Sequence, residues 1–137
     1  MAKALVVYHT QTGNTEKLAL AVKEGIESFD IEVILKKAAE AELEDLLSCD
    51  GYCFGTPDYF SYMAGRLKDF FDRTCYPSEG KVTDRPYVCF VCHGGGGDAV
   101  GSLEKMAKRF KLKKITEHLL VEGKPKKEGL QKAEELG

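Results

Sequence analysis

Short apolar runs alternate with amphipathic segments along the chain. Three runs, Ala4 to His9, Gly51 to Gly55 and Tyr87 to Cys92, have almost no polar interruption, which is typical of strands covered on both faces of a parallel sheet. Two further strands are predicted at Ile31 to Leu35, whose polar end suits an edge position, and at Thr116 to Val121. The pattern therefore predicts five strands.

The intervals between these strands have apolar residues at helical spacing. They predict helices at Asn14 to Ser28, around Leu43 to Leu47, from Met63 to Phe71, from Val100 to Phe110, and after Pro125. A polar connection from Thr74 to Arg85 is predicted to be a surface loop. The alternation predicts a single α/β domain over residues 1–137, with an open parallel sheet and helices on both faces.

Ligands of such sheets bind beyond the carboxyl ends of the strands. The loops after the first, third and fourth predicted strands are Thr10 to Thr15, Thr56 to Tyr62 and His93 to Asp98. Because parallel strands end at the same edge, these three loops are expected to share one site.

The first loop reads Thr-Gln-Thr-Gly-Asn-Thr between a strand and a helix. Backbone N–H groups and the positive helix end converge there and favour an anion. The loop has neither the lysine of a triphosphate P-loop nor the glycine pattern of a dinucleotide motif. Its hydroxyl, amide and N–H donors suit one terminal phosphate, as on a mononucleotide. The alternative is an ordinary helix start with Asn14 or Thr12 as the N-cap.

The other two loops suit a flat ring. Three aromatic residues stand on the second loop, and Tyr59 or Phe60 is expected to stack on a planar ligand. The alternative is that Phe60 and Tyr62 fold back onto the next helix. The third loop has four glycines in series, which allow a ring to approach the backbone closely, or which form only a flexible connector. His93 is interpreted as a polar loop residue, with contact to the ring or transfer of a proton as the alternative.

These loops together resemble the flavodoxin-like superfamily, which binds FMN. The stretch from Gly55-Thr56-Pro57 to Lys68-Asp69-Phe70-Phe71-Asp72 is similar to the NAD(P)H:quinone oxidoreductase branch of that superfamily. The resemblance implies a three-layer sandwich with a five-stranded parallel sheet in the order 2-1-3-4-5. FMN is the cofactor that it implies, and no catalytic or metal-binding residue is assigned.

The resemblance also implies the residues that hold FMN. The phosphate would be bound by Thr10, Gln11, Thr12, Gly13, Asn14 and Thr15. One side of the ring would be lined by Pro57, Asp58, Tyr59, Phe60 and Ser61, and the other by Cys92, His93, Gly94, Gly95, Gly96 and Asp98. Negative charge on Asp58 and Asp98 would lower the flavin potential, and the glycine amides would raise it.

Two functions follow from this resemblance. A flavodoxin-like carrier would pass electrons between redox partner proteins, and small size favours it. An NAD(P)H-dependent enzyme would reduce quinones or similar acceptors, and the second loop favours it, since no glycine lies between Thr56 and Met63 to support a long-lived one-electron state. The carrier is the preferred interpretation. A third alternative is a fold of this type that no longer binds flavin.

Composition and charge add limits to this picture. The chain has 137 residues and a net charge of −2. Residues 1–104 have a charge balance of −7, whereas residues 105–137 have +5, concentrated at Lys105, Lys108, Arg109, Lys111, Lys113 and Lys114 and again at Lys124, Lys126 and Lys127. This basic cluster is interpreted as a solvated helix face, with steering of a charged redox partner as the alternative. Nucleic-acid binding finds no support.

The cysteines and the N-terminal sequence suggest a location. The five cysteines form no metal motif, and Cys89 and Cys92 would point to opposite faces of a strand. No signal peptide or apolar span is present in the sequence. We therefore expect reduced thiols, a cytoplasmic location, no membrane association, and a monomer or small homo-oligomer.

Overall fold

Strands and helices alternate through the described part of the molecule. The computed structural model of the chain describes residues 3–10, 13–29, 31–57, 63–93, 99–114 and 119–122. In chain order the elements are β1 (Lys3–Tyr8), α1 (Asn14–Glu27), β2 (Glu32–Lys37), α2 (Leu43–Ser48), β3 (Gly51–Pro57), α3 (Gly65–Ser78), β4 (Pro86–His93), α4 (Ala99–Arg109), β5 (Lys113–Lys114) and β6 (Leu119–Glu122). The helix predicted after Pro125 lies outside the described residues.

All strand pairings in the sheet are parallel. The strand order is β2-β1-β3-β4-β5, and β6 also pairs with β4. The predicted order 2-1-3-4-5 is therefore confirmed. As expected from its polar end, β2 is the edge strand on one side and has no fully buried residue.

The fifth position of the sheet is formed by two segments. β5 pairs with Pro86 and Tyr87, and β6 pairs with Phe90 to His93. Both lie on the side of β4 away from β3, because β3 already pairs with residues 87–92 of β4. On β4, two residues lie between the part paired with β5 and the part paired with β6. Between β5 and β6 themselves, four residues intervene, 115–118. The predicted strand Thr116 to Val121 is confirmed from Leu119 to Val121, and its first three residues lie outside the described ranges.

Two apolar layers cover the faces of the sheet. On one face, side chains of β1, β3 and β4 pack against α2, α3 and α4, with Phe54, Phe70 and Phe71 fully buried. On the other face, they pack against Leu18 and Val22 of α1. The arrangement confirms helices on both sides of the sheet.

The cysteines of β4 follow the twofold period of a strand. Cys89 belongs to the apolar layer under α3 and α4, whereas Cys92 belongs to the layer under α1. The prediction that these two thiols cannot meet is confirmed. All five cysteines are free thiols.

One predicted loop begins later than the sequence pattern indicates. α3 continues through Pro77 to Ser78, so the first part of the predicted surface connection is helical. Thr74 and Ser78 are buried, and their hydroxyl groups offset the cost of burial by donating to helix carbonyl groups, those of Phe70 (2.8 Å) and Cys75 (3.3 Å). Pro77 lies in the last turn, where its missing N–H costs a single helix bond.

Among the described residues, no helix has the length and apolar character needed to cross a membrane.

Candidate functional site

Three strand ends meet at the carboxyl edge of the sheet. Tyr8 of β1 is paired with Gly55 of β3, and Pro57 of β3 is paired with Cys92 of β4. The backbone N–H of His9 donates to the carbonyl oxygen of Gly55 at 3.1 Å, which continues the β1–β3 pairing to the start of the first loop. The three loops expected to share a site therefore begin side by side.

The predicted site residues divide into two groups. Thr10, Gly13, Asn14, Thr15, Pro57, Cys92 and His93 are within the described part of the chain, at this edge. The predictions for Gln11, Thr12, Asp58, Tyr59, Phe60, Ser61, Gly94, Gly95, Gly96 and Asp98 concern residues outside the described ranges. Those predictions, including the stacking by Tyr59 or Phe60, stay predictions.

The first loop folds through a bond between a hydroxyl and the backbone. The N–H of Gly13 donates to Oγ1 of Thr10 at 2.9 Å. Gly13 has a φ of 92° and is the residue before α1, a left-handed conformation that glycine adopts without strain. The hydroxyl of Thr10 still has its own hydrogen to donate.

The start of α1 is open to an anion. The N-cap is Gly13, so the alternative with Asn14 as N-cap is wrong, and Thr12 lies outside the described residues. A glycine has no side chain with which to cap the first-turn N–H groups. Apart from Gly13 and its two neighbours in the chain, no atom of the described residues lies within 4 Å of the position that a Gly13 Cβ would take. The donors here fit a phosphate group.

Thr15 joins the first loop to the fourth strand. It is 1% exposed in the first turn of α1, and its hydroxyl hydrogen-bonds the Cys92 thiol. Burial raises the pKa of Cys92, and the Thr15 bond acts against that rise. The two residues, assigned respectively to the phosphate side and the ring side, therefore contact each other.

A second contact of the first turn, between Tyr8 and Glu16, has no signal in the sequence. The Tyr8 hydroxyl donates to a carboxylate oxygen of Glu16 at 2.9 Å. Burial, followed by this hydrogen bond, raises the pKa of Tyr8 to about 12. Glu16 lies in the first turn of α1, where the helix dipole stabilises a negative charge. The pair keeps this carboxylate in a defined position beside the candidate phosphate site.

Cationic side chains approach the same edge from elements on either side. The pKa of His9 is lowered, first by burial and then by the positive charges of Arg66 and Lys37. Arg66 is at the start of α3, and Lys37 ends β2. The first loop has no Lys or Arg of its own, so positive charge reaches this edge from distant parts of the sequence. In the sequence, only the strand order could have indicated that Lys37 and Arg66 lie near the first loop.

The second loop is closed at its base by one hydroxyl group. Thr56 is fully buried, and its hydroxyl donates to the carbonyl oxygen of Pro57 at 2.7 Å. The same hydroxyl oxygen accepts the N–H of Ala64 at 2.8 Å. The chain on either side of residues 58–62 is thereby held together.

A serine links the second and third loops. Ser102 of α4 accepts the N–H of Met63 at 3.1 Å and donates to the carbonyl oxygen of Ala99 at 2.7 Å. It is 8% exposed. A sequence signal existed, because Ser102 is a polar residue on the apolar face of an amphipathic helix, but its partner 39 positions away was not predictable.

The described part of the basic cluster lies elsewhere. α4 runs back from the carboxyl edge, so Lys108 and Arg109 are near its far end. Lys113 and Lys114 pair with Pro86 and Tyr87 at the start of β4. This cluster is therefore at the amino edge of the sheet, opposite the candidate site. No group of three potential metal ligands occurs within the described ranges.

Comparison with known proteins identifies similar chains. The profile of the flavodoxin family matches residues 6–137. A flavodoxin from Aquifex aeolicus is 39% identical over 98 residues, which span 71% of this chain and 53% of that protein. An NAD(P)H dehydrogenase (quinone) from Acidithiobacillus ferrooxidans is 32% identical over 121 aligned positions, spanning 69% of this chain and 60% of that protein. The chain therefore spans only part of the length of these two relatives.

The fold also matches solved structures. A flavodoxin from the domain Archaea superposes with a TM-score of 0.90 and 25% identity, covering 98% of this chain and 92% of that one. The match includes almost the whole chain, and the TM-score shows that the two chains share one fold.

Proposed function

The chain belongs to the flavodoxin family, whose cofactor is FMN, and we propose that it carries electrons between partner proteins. The bound FMN supplies the redox chemistry. The protein supplies the phosphate cradle, the walls on both sides of the ring, and the local charges that set the potential.

The observation that supports this proposal best is the open start of α1 beside two paired loop ends. The Thr10 hydroxyl, the Gly13 amide and the first-turn groups of Asn14 and Thr15 would hold the phosphate, together with Gln11 and Thr12. The ring would lie between residues 57–61 and residues 92–98, with Asp58 and Asp98 near it. Pro57 and Cys92 are neighbours in the sheet, as this placement requires.

The positive charges at the same edge suit a phosphate, whereas the Glu16 carboxylate in the first turn of α1 opposes it. His9, with a lowered pKa, adds little positive charge near neutral pH, so Arg66 and Lys37 supply the cationic field. Opposite charges at partly exposed sites contribute modestly. The main contribution to phosphate binding therefore comes from the uncharged donors of the first loop.

A second candidate function is reduction of quinones with electrons from NAD(P)H. It is favoured by the 32% identity to an NAD(P)H dehydrogenase (quinone) and by the stretch from Gly55 to Asp72. The carrier remains our proposal because the flavodoxin of Aquifex aeolicus is the more similar of the two relatives.

One experiment separates the two functions. FMN-loaded protein is mixed anaerobically with NADH or NADPH, and the visible flavin absorbance is followed. If the protein is a carrier, its flavin absorbance should persist after NADH or NADPH is added and should be lost only on photoreduction. Rapid bleaching by either nucleotide would reject the carrier proposal in favour of the enzyme. A folded protein that takes up no FMN would reject both.

The proposal also covers the partners, the cellular location and the oligomeric state. We propose redox proteins as partners and the cytoplasm as the location, with a monomer or small homo-oligomer as the working form. Sedimentation of the FMN-loaded protein measures the last of these directly.

A further inference from the structure

The first turn of α1 contains an acidic residue that could occupy the phosphate site itself. Glu16 is the third residue of the helix, the position from which a carboxylate folds back onto the N-terminal N–H groups in a capping box. The first helical bond runs from the N–H of Lys17 to the carbonyl oxygen of Gly13 at 3.1 Å. Helix geometry therefore gives the N–H groups of residues 14–16 no partner inside the helix. A carboxylate bonded to them would compete with a phosphate.

The same chain contains a helix that is capped in this way. Asp45 is the third residue of α2, and its Oδ2 accepts the N–H of the N-cap residue, Glu42, at 2.9 Å. Both oxygens of Asp45 also accept bonds from Lys36, so the cap persists beside a competing cation. α1 has an acidic residue at the equivalent position but no side-chain bond at its N-cap. The two helices thus differ in where the acidic side chain is held.

Two contacts keep the capping box of α1 from forming. The Tyr8 hydroxyl donates to Oε2 of Glu16 at 2.9 Å. The N–H of Gly13, which a folded-back Glu16 would bond, donates instead to Oγ1 of Thr10 at 2.9 Å. Tyr8 ends β1 and is 5% exposed, so the sheet fixes the position of its ring. Burial, followed by the Glu16 bond, raises the pKa of Tyr8 to about 12, and the hydroxyl therefore keeps its proton near neutral pH.

We propose that Tyr8 is a positioning residue that keeps the Glu16 carboxylate off the N-terminus of α1 and leaves the first-turn N–H groups to the FMN phosphate. The inference rests on the proposed function, because it assumes that the phosphate binds there. Without the Tyr8 hydroxyl, the carboxylate is free to bond those N–H groups, where the helix dipole favours it. It would then oppose the phosphate, since two negative charges at one site disfavour each other.

The decisive variant is Tyr8→Phe, which keeps the aromatic ring but removes the hydroxyl. The affinity for FMN is expected to fall about fivefold or more, the size of a charge interaction at a helix terminus. The affinity for riboflavin, which has no phosphate, is expected to stay unchanged. The loss should disappear in the Glu16→Ala background, where no carboxylate can fold back. A purely structural role of the hydroxyl would instead weaken both flavins alike.

The matched control is Tyr52→Phe. Tyr52 is 4% exposed, and its hydroxyl donates to the carbonyl oxygen of Leu46 at 2.6 Å. It belongs to the apolar layer on the face of the sheet away from α1. This variant also loses a buried tyrosine hydroxyl, but the ratio of its affinities for FMN and riboflavin is expected to equal that of the unsubstituted protein.

Titration of the full chain with FMN and with riboflavin, followed by flavin fluorescence, tests the proposal. A loss confined to FMN in Tyr8→Phe, and absent when Tyr8→Phe/Glu16→Ala is compared with Glu16→Ala, supports it. Unchanged FMN affinity in Tyr8→Phe, equal loss of both flavins, or the same loss of FMN with and without Glu16 would overturn it. If the unsubstituted protein binds FMN no more tightly than riboflavin, the phosphate assignment of the proposed function fails first, so the two failures are distinguishable.

A second variant covers loss of folding in Tyr8→Phe. Glu16→Asp leaves the apolar layer intact, and its side chain is one methylene group shorter, which takes the carboxylate away from the Tyr8 hydroxyl. An aspartate at this position can fold back onto the N-cap, as Asp45 does in α2. Glu16→Asp is therefore expected to bind FMN less tightly, with riboflavin unchanged. FMN affinity equal to that of the unsubstituted protein would overturn the proposal.

Discussion

Gly55 is the position where β3 and β4 tolerate no side chain. A Cβ atom built on Gly55 would be 2.2 Å from Cε2 and Cζ of Phe90 and 2.9 Å from its Cδ2. Phe90 is fully buried, so its ring cannot turn away into solvent. Since carbon atoms prefer separations of about 3.5–4.0 Å, the overlap in Gly55→Ala would be about 1.3 Å or more.

This overlap predicts a destabilising substitution. Overpacking a buried site costs about 1–3 kcal/mol, and we expect Gly55→Ala to be at the upper end because the obstacle is a rigid ring. Phe90→Leu alone removes buried surface and is expected to cost about 1–2 kcal/mol. The double variant Gly55→Ala/Phe90→Leu is expected to be more stable than the sum of the two losses predicts, by about 1–2 kcal/mol.

Urea unfolding of the cofactor-free protein, followed by far-ultraviolet circular dichroism, measures all three variants. The slope of the free energy of unfolding against urea should stay constant, so that midpoint shifts report stability. Additive losses in the double variant would refute the reasoning, because they would mean that the methyl group introduced in Gly55→Ala and the Phe90 ring do not compete for space.

Three further predictions concern single side chains. Thr10→Val removes the acceptor of the Gly13 N–H, so we expect the affinity for FMN to fall about tenfold or more and the affinity for riboflavin to stay nearly unchanged. Thr74→Val, at a buried position of α3, is the control. An equal loss of affinity for both ligands would contradict the phosphate assignment. Cys75 is half-buried, whereas the other four cysteines are buried. Mass spectrometry after brief alkylation of the folded protein should therefore find Cys75 modified first. Earlier modification of another cysteine would contradict this difference in burial. The pKa of Tyr8 is raised from 10.0 to about 12, so its stabilising contribution is complete below pH 10 and is lost as the pH rises toward 12. Tyr8→Phe removes this titrating group together with its bond to Glu16, so the free energy of unfolding should fall less between pH 10 and 12 than in the unsubstituted protein. An equal fall in both proteins would contradict the prediction.

The sheet was predictable because its signals are local. The apolar runs at Val6 and Phe54 identify strands covered on both faces, and helices between them require parallel connections. The opposite orientation of Cys89 and Cys92 follows from the twofold period of a strand. None of these inferences needs a contact between distant residues.

The sequence pattern is wrong where polar residues are buried. It predicts a surface loop at Thr74 and Ser78, but their hydroxyl groups bond to carbonyl groups of their own helix and add no unsatisfied polar atom to the interior. Composition alone cannot distinguish a hydroxyl that faces water from one that a helix satisfies. The pairing of Lys113 and Lys114 with the start of β4 was also beyond the pattern, because apolar periodicity does not determine register.

The contacts that organise the site are mostly long-range. Ser102 and Met63 are 39 positions apart, whereas Thr56 and Ala64 are eight apart across a loop. A sequence pattern can indicate that Ser102 faces the interior, but it cannot identify the N–H that it accepts. The sequence therefore locates the loops, and the structure identifies what joins them.

The position of the basic cluster decides which charges can influence a partner at the flavin edge. Lys113 and Lys114 pair with the start of β4, and β4 has 8 residues, so at about 3.3 Å per residue they are about 20 Å or more from its carboxyl end. The Debye length is about 8 Å at physiological ionic strength, so little of their field reaches that end through solvent. Arg66 and Lys37, which already affect the pKa of His9, are much closer. Among the described charges, Arg66 and Lys37 rather than the amino-edge lysines should therefore set the salt dependence of the proposed electron transfer, and the amino-edge lysines act as a solvated surface there.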